Sequence, residues 1–147
     1  MNPTMMPVSM MTAGGAALIA FWLGLRTGRA RMAAKVSIGD GGDEALIARM
    51  RAQANFTEYV PFIVILIGLI ELTTGTSTWL WVAGALLLIS RIVHALGMDG
   101  LKNGRNVGTG VTFLLMIGLG LYAATLPFWW APDKARMIEV TPMPAQG

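Results

Sequence analysis

An all-α bundle of four membrane-spanning helices is the fold that this sequence predicts. Three observations predict it. The chain of 147 residues is 54% hydrophobic and only 13% charged, with a mean hydropathy of +0.60, whereas soluble domains carry about 25% charged residues. Apolar runs of about 18 residues or more recur along it, each long enough to cross a bilayer. Short glycine-rich or polar breaks separate the runs, and Lys and Arg concentrate in alternate breaks. One domain, 1–147, accounts for the whole pattern.

The first span is expected at 8–25. No basic residue precedes it and Arg26, Arg29, Arg31 and Lys35 follow it, the reverse of a secretory leader, so it reads as a retained span with its basic end in the cytoplasm. Ala16, Ala20, Gly24 and Gly28 recur every four residues along it, a stripe that lets a neighbouring helix approach closely. SIGDGGDEA then breaks the chain: Gly39, Gly41 and Gly42 supply turn conformations, Asp43 or its neighbour can cap the next helix, and Glu44 suits that helix's positive end. No strand precedes these glycines and no Lys-Ser/Thr follows, so a phosphate-cradling loop is excluded.

The second span is expected at 45–72, with Pro61 bending it and Glu71 placed in a polar exit loop with TTGTST. The third, at 79–97, begins with Trp79 and Trp81 at an aromatic belt and returns to a basic loop, MDGLKNGRN. The fourth, 107–130, ends in PFWWAP, and the tail 131–147 is expected to be loosely ordered. Most Lys and Arg then lie inside, with Lys134 and Arg136 outside and both termini outside. The pI near 9.8 follows from this topology; the basic residues form no single stripe that a nucleic acid could bind.

Function classes narrow further on cysteine. The chain has none, which excludes a disulfide framework, a thiolate metal site and a cysteine nucleophile, so any sulfur chemistry must arrive with a substrate. His94 is the only histidine. A multi-histidine metal site is therefore excluded, and His94 reads as a hydrogen-bonding residue ahead of a general base.

Polar residues at membrane depth are costly, and they cluster in RAQANFTEYVPF, residues 51–62. On a helix turning about 100° per residue, Arg51 at 0° is followed by Asn55 at about 40°, Glu58 at about 340° and Tyr59 at about 80°, so the four share a face. Gln53, near 200°, faces the other way. The face offers a guanidinium, an amide, a carboxylate and a phenol, a set able to grip a small zwitterion. In the third span Arg91, His94 and Met98 fall at i, i+3 and i+7, toward the same membrane surface, and Arg105 follows either in the loop or two turns further along a continued helix.

RAQANFTEYVPF resembles the second-helix signature of the MAPEG family, the membrane-associated proteins of eicosanoid and glutathione metabolism. The likeness extends to the four spans, the basic first inner loop, the GDGGDE turn of the bacterial branch, and the spacing of Arg91 and Arg105. It implies a homotrimer of four-helix bundles in the bacterial cytoplasmic membrane, with glutathione as co-substrate bound between subunits at the cytoplasmic side and a small apolar second substrate arriving from the lipid. Carried over by position, Arg51 holds a glutathione carboxylate, Glu58 the amino group, and Gln53, Asn55 and Tyr59 further polar atoms. Arg31 matches another carboxylate contact, Arg91 and His94 join the binding set, and Arg105 matches the arginine that stabilises the thiolate. The implied activity is that of a glutathione-dependent transferase or peroxidase acting on apolar electrophiles or lipid hydroperoxides. His94 and Met98 stand where eicosanoid members carry two tyrosines, which keeps a non-catalytic lipid-binding or scaffolding protein of the same family as the alternative.

Overall fold

The computed structural model describes residues 5–129; the expectations for Trp130, Lys134, Arg136 and the tail 131–147 lie outside the described residues. Four helices follow in order: α1 (Pro7–Ala34), α2 (Glu44–Thr74), α3 (Thr78–Met98) and α4 (Gly104–Trp129). All four are long and apolar enough to cross a membrane. The first three expected spans each fall within one helix that runs longer at both ends, and α4 begins three residues ahead of the expected fourth span. α1 continues to Ala34, so the basic cluster expected as a loop largely occupies its last turns. There Arg31 is half-buried and donates to the carbonyl of Gly39 at 2.7 Å.

The turn signals act as read. Asp43 caps α2 by accepting from the backbone N–H of Leu46 at 2.7 Å. Gly39, Gly41 and Gly42 hold φ of +78°, +60° and +76°, the left-handed region where a side chain is penalised. α2 runs through Pro61 as one helix. At the other break, α3 stops at Met98 and α4 starts at Gly104, which places Arg105 in the first turn of a new helix.

Glu71 departs from expectation. It lies inside the last turn of α2 and is buried, because the start of α1 needs it. Met6 provides no side-chain cap there. Glu71 instead accepts from the backbone N–H groups of Val8 at 3.1 Å and Ser9 at 2.8 Å, from the Ser9 hydroxyl at 2.5 Å, and from the Thr76 hydroxyl at 2.8 Å. Unpaired N–H groups and the positive end of the helix dipole favour a carboxylate at this position.

α2 and α3 each pack against the other three helices, whereas α1 and α4 do not meet among the described residues. Leu23, Phe56, Val60, Ile63, Ile67, Leu80 and Leu87 fill the core. The outer faces are also apolar, with Leu18, Phe21, Phe62, Ile65, Leu114 and Leu121 exposed, the surface expected of a bundle solvated by lipid or by neighbouring subunits. At the end opposite the basic loops, Tyr122 packs edge-on against Trp79 and Trp129. At the basic end Arg26 lies over the Trp22 ring and pairs with Asp99 at the C-cap of α3, and Arg49 Nε stands 3.7 Å from the same carboxylate. That shared carboxylate ties α1, α2 and α3 together beside the α3–α4 loop.

Candidate functional site

The shared face deduced for α2 is real. Arg51, Asn55, Glu58 and Tyr59 line one cavity of about 640 Å³ between α2, α3 and α4. α3 contributes His94 and Met98, and α4 contributes Arg105, Asn106, Thr109, Gly110 and Phe113. The Tyr59 ring meets the edge of Phe113 with centroids 5.1 Å apart. Formally the wall carries two cations and one carboxylate, a surplus that favours an anionic guest.

Glycine brings α3 and α4 close enough to form this wall. A side chain at Gly97 would strike the backbone of Gly104 and Arg105, and one at Gly108 would strike the Ser90 carbonyl and His94. The approach places His94 Nδ1 3.3 Å from the Arg105 carbonyl and 3.2 Å from the Thr109 hydroxyl. Arg105 itself is exposed and turned to the cavity. Arg105, Thr109 and Phe113 are spaced i, i+4 and i+8 on α4, so the contribution of that helix could have been read from the sequence once its start was known.

Three expected site residues stand elsewhere. Arg91 is buried inside the bundle and does not line the cavity. Its guanidinium donates to Asn55 Oδ1 at 2.7 Å and to Thr112 Oγ1 at 3.0 Å, and Thr112 donates onward to the Gly108 carbonyl. Arg91 therefore holds Asn55 from behind and adds positive charge to the cavity without touching its contents. Arg31 and Gln53 line a second groove of about 530 Å³ together with Gly24, Gly28 and Thr57. This groove and the cavity share Ala54 and lie on adjoining faces of α2. Of the small-residue stripe on α1, Ala16 is packed in the core, while Gly24 and Gly28 open onto the groove. No three potential metal-ligating side chains come together among the described residues.

The model of the MAPEG family matches residues 9–125. The chain belongs to the MAPEG family. Its relatives include inner membrane protein YecN of Escherichia coli, from strains K12 and O6:H1, each 33% identical over 99 residues that cover 64% of this chain and 75% of the relative. The four apolar helices and the inner membrane relative support reading this MAPEG member as a bacterial membrane protein. The second-helix string falls well inside the matched residues.

Proposed function

We propose that this MAPEG protein binds glutathione in the 640 Å³ cavity and uses its thiol against apolar electrophiles or hydroperoxides. The observation that carries the reading is the convergence of Arg51, Asn55, Glu58, Tyr59 and Arg105 on one cavity. Glutathione presents two carboxylates and one ammonium, which complement two guanidinium groups and one carboxylate. The cavity volume lies within the range of about 300–1,000 Å³ usual for small-molecule sites. In this reading Arg51 pairs with a carboxylate, Glu58 with the ammonium, and Asn55 and Tyr59 fix the peptide between them.

Arg105 acts on sulfur. A free thiol ionises near pH 8.5 and only its anion attacks; lowering that value by about one to two units takes about 1.4–2.7 kcal/mol of preferential anion stabilisation. A guanidinium at close range in a partly dry site supplies an amount of that order. Holding thiol and electrophile together at the lipid boundary lowers the entropic barrier as well.

A groove and a cavity on adjoining faces of α2 support a homotrimer. Arg31 and Gln53 do not line the cavity of their own chain, but a neighbouring bundle seated against α2 brings one chain's groove to the next chain's cavity. Conjugation of an aryl halide by purified protein tests the function: Arg105→Ala is expected to cost about 10²-fold or more in rate, with calorimetric glutathione affinity nearly unchanged. Equal rates in the two proteins would remove Arg105 from the chemistry.

One observation favours a second reading. Met98 lines the cavity where a phenol stands in eicosanoid members, and a thioether is at best a weak acceptor that donates nothing to sulfur. A lipid-binding protein without turnover would show stabilisation by phospholipid and no calorimetric response to millimolar glutathione.

A further inference from the structure

His94 enters the cavity with one edge of its ring already committed. Its Nδ1 lies 3.3 Å from the backbone carbonyl of Arg105 and 3.2 Å from Thr109 Oγ1. A carbonyl oxygen only accepts, so the Arg105 contact favours hydrogen on Nδ1, while the Thr109 hydroxyl can take either role at that nitrogen. Nε2 is then left with its lone pair, and it has no protein hydrogen-bond partner among the described residues. It is also absent from the polar atoms that are sealed from solvent without a partner. The ring belongs to the wall that carries Arg105 and Met98, so the free edge opens on the cavity.

We propose that His94 Nε2 accepts the proton of the bound thiol and acts as the general base of this site. The inference rests on the reading of the cavity as a thiol site. One residue organises both partners: the Arg105 carbonyl favours the imidazole tautomer with hydrogen on Nδ1, and the Arg105 guanidinium receives the sulfur. Atoms and charge balance as follows. The S–H bond breaks and its proton passes to Nε2. The sulfur electron pair forms the bond to the electrophilic carbon, the carbon–halogen pair leaves with the halide, and the imidazolium releases its proton to water. Thiol and aryl halide become thioether, halide and a proton.

The charged and titratable groups facing His94 are Arg51, Glu58 and Tyr59 from α2, Arg91 on its own helix, and Arg105 from α4. Among so many cations an imidazolium is best formed together with a thiolate, as a pair neutral overall. This assigns the base to the residue that replaces a tyrosine, and it leaves Met98 to pack rather than to hydrogen bond.

The test compares wild type with His94→Gln and His94→Ala, using purified, lipid-reconstituted protein. Glutathione binding is read by calorimetry and aryl halide conjugation is followed across a pH series. His94→Gln is expected to bind glutathione within about threefold of wild type yet lose about 10²–10³ in rate at the acid end of the series, where the bound thiol is still protonated. That loss should shrink as the pH passes the value of the bound thiol, which Arg105 holds below the free value of about 8.5, and added imidazole should restore part of the rate in His94→Ala. A His94→Gln rate within about threefold of wild type at every pH overturns the proposal. So does a loss that is independent of pH and unresponsive to imidazole, which marks a packing role. Wild type that binds glutathione without turnover removes the base and leaves the binding site; wild type that ignores glutathione removes both.

Discussion

At Glu71 a single carboxylate holds two helices together, and its four accepted hydrogen bonds join the end of α2 to the start of α1. Removing it strands buried N–H groups at a helix terminus, each costing about 1–3 kcal/mol. Glu71→Ala is therefore expected to lower stability by about 2–4 kcal/mol, measured by unfolding in mixed micelles, while glutathione binding at the far end of the bundle changes little once the protein is folded. Arg91 is the second residue of this kind. Its two donor contacts, to Asn55 and Thr112, need the planar fork of a guanidinium, which an ammonium cannot reproduce. Arg91→Lys is expected to weaken glutathione binding by about tenfold, equivalent to about 1.4 kcal/mol, by releasing Asn55. An affinity equal to wild type would show that Asn55 needs no support from behind.

Between elements, the α3–α4 contact decides whether there is a site at all. Gly108 and Gly110 lie on the same helix, two residues apart, and differ completely in surroundings. A Cβ at Gly108 meets the Ser90 carbonyl and His94, whereas one at Gly110 meets nothing within 4 Å although Gly110 lines the cavity. Gly108→Ala is expected to separate the helices, costing about 1–3 kcal/mol and displacing Arg105 from His94. Gly110→Ala should unfold like wild type. Thermal unfolding of the two variants side by side is decisive, because both carry the same added methyl on the same helix. The contrast also shows what sequence reading reaches. The four helices were legible from runs of apolar residues, and the α2 face was legible because Arg51, Asn55, Glu58 and Tyr59 lie on one helix at fixed angles. The sequence did not tell which small residues mark close approach: the α1 stripe with Gly24 and Gly28 borders an open groove, while Gly97, Gly104 and Gly108 make the backbone contact. Nor did it show that Glu71 caps a helix 62 residues away, since a contact between distant segments leaves no periodic trace. Arg91 carried the right chemistry and spacing, yet its helix face turns inward rather than to the cavity.

For the whole molecule, α2 presents two adjoining concave faces, and what they do together depends on whether chains assemble. Arg31 and Gln53 border the groove, and Arg51, Asn55, Glu58 and Tyr59 border the adjoining cavity, with Ala54 shared between them. If a closed ring of three chains joins each groove to the next chain's cavity, then Arg31→Ala and Arg51→Ala damage the same composite site from different subunits. Each variant alone loses glutathione binding at every interface. Co-expressed, they form mixed trimers in which one interface pairs an intact groove from the Arg51→Ala chain with an intact cavity from the Arg31→Ala chain. Binding in the mixed population should therefore return to a fraction of the wild-type stoichiometry at wild-type affinity, read by calorimetry on doubly tagged, tandem-purified protein. If the tandem-purified mixture binds no better than the single variants, groove and cavity do not form one site, and Arg31 belongs to the fold of its own α1–α2 loop, where it already holds the Gly39 carbonyl.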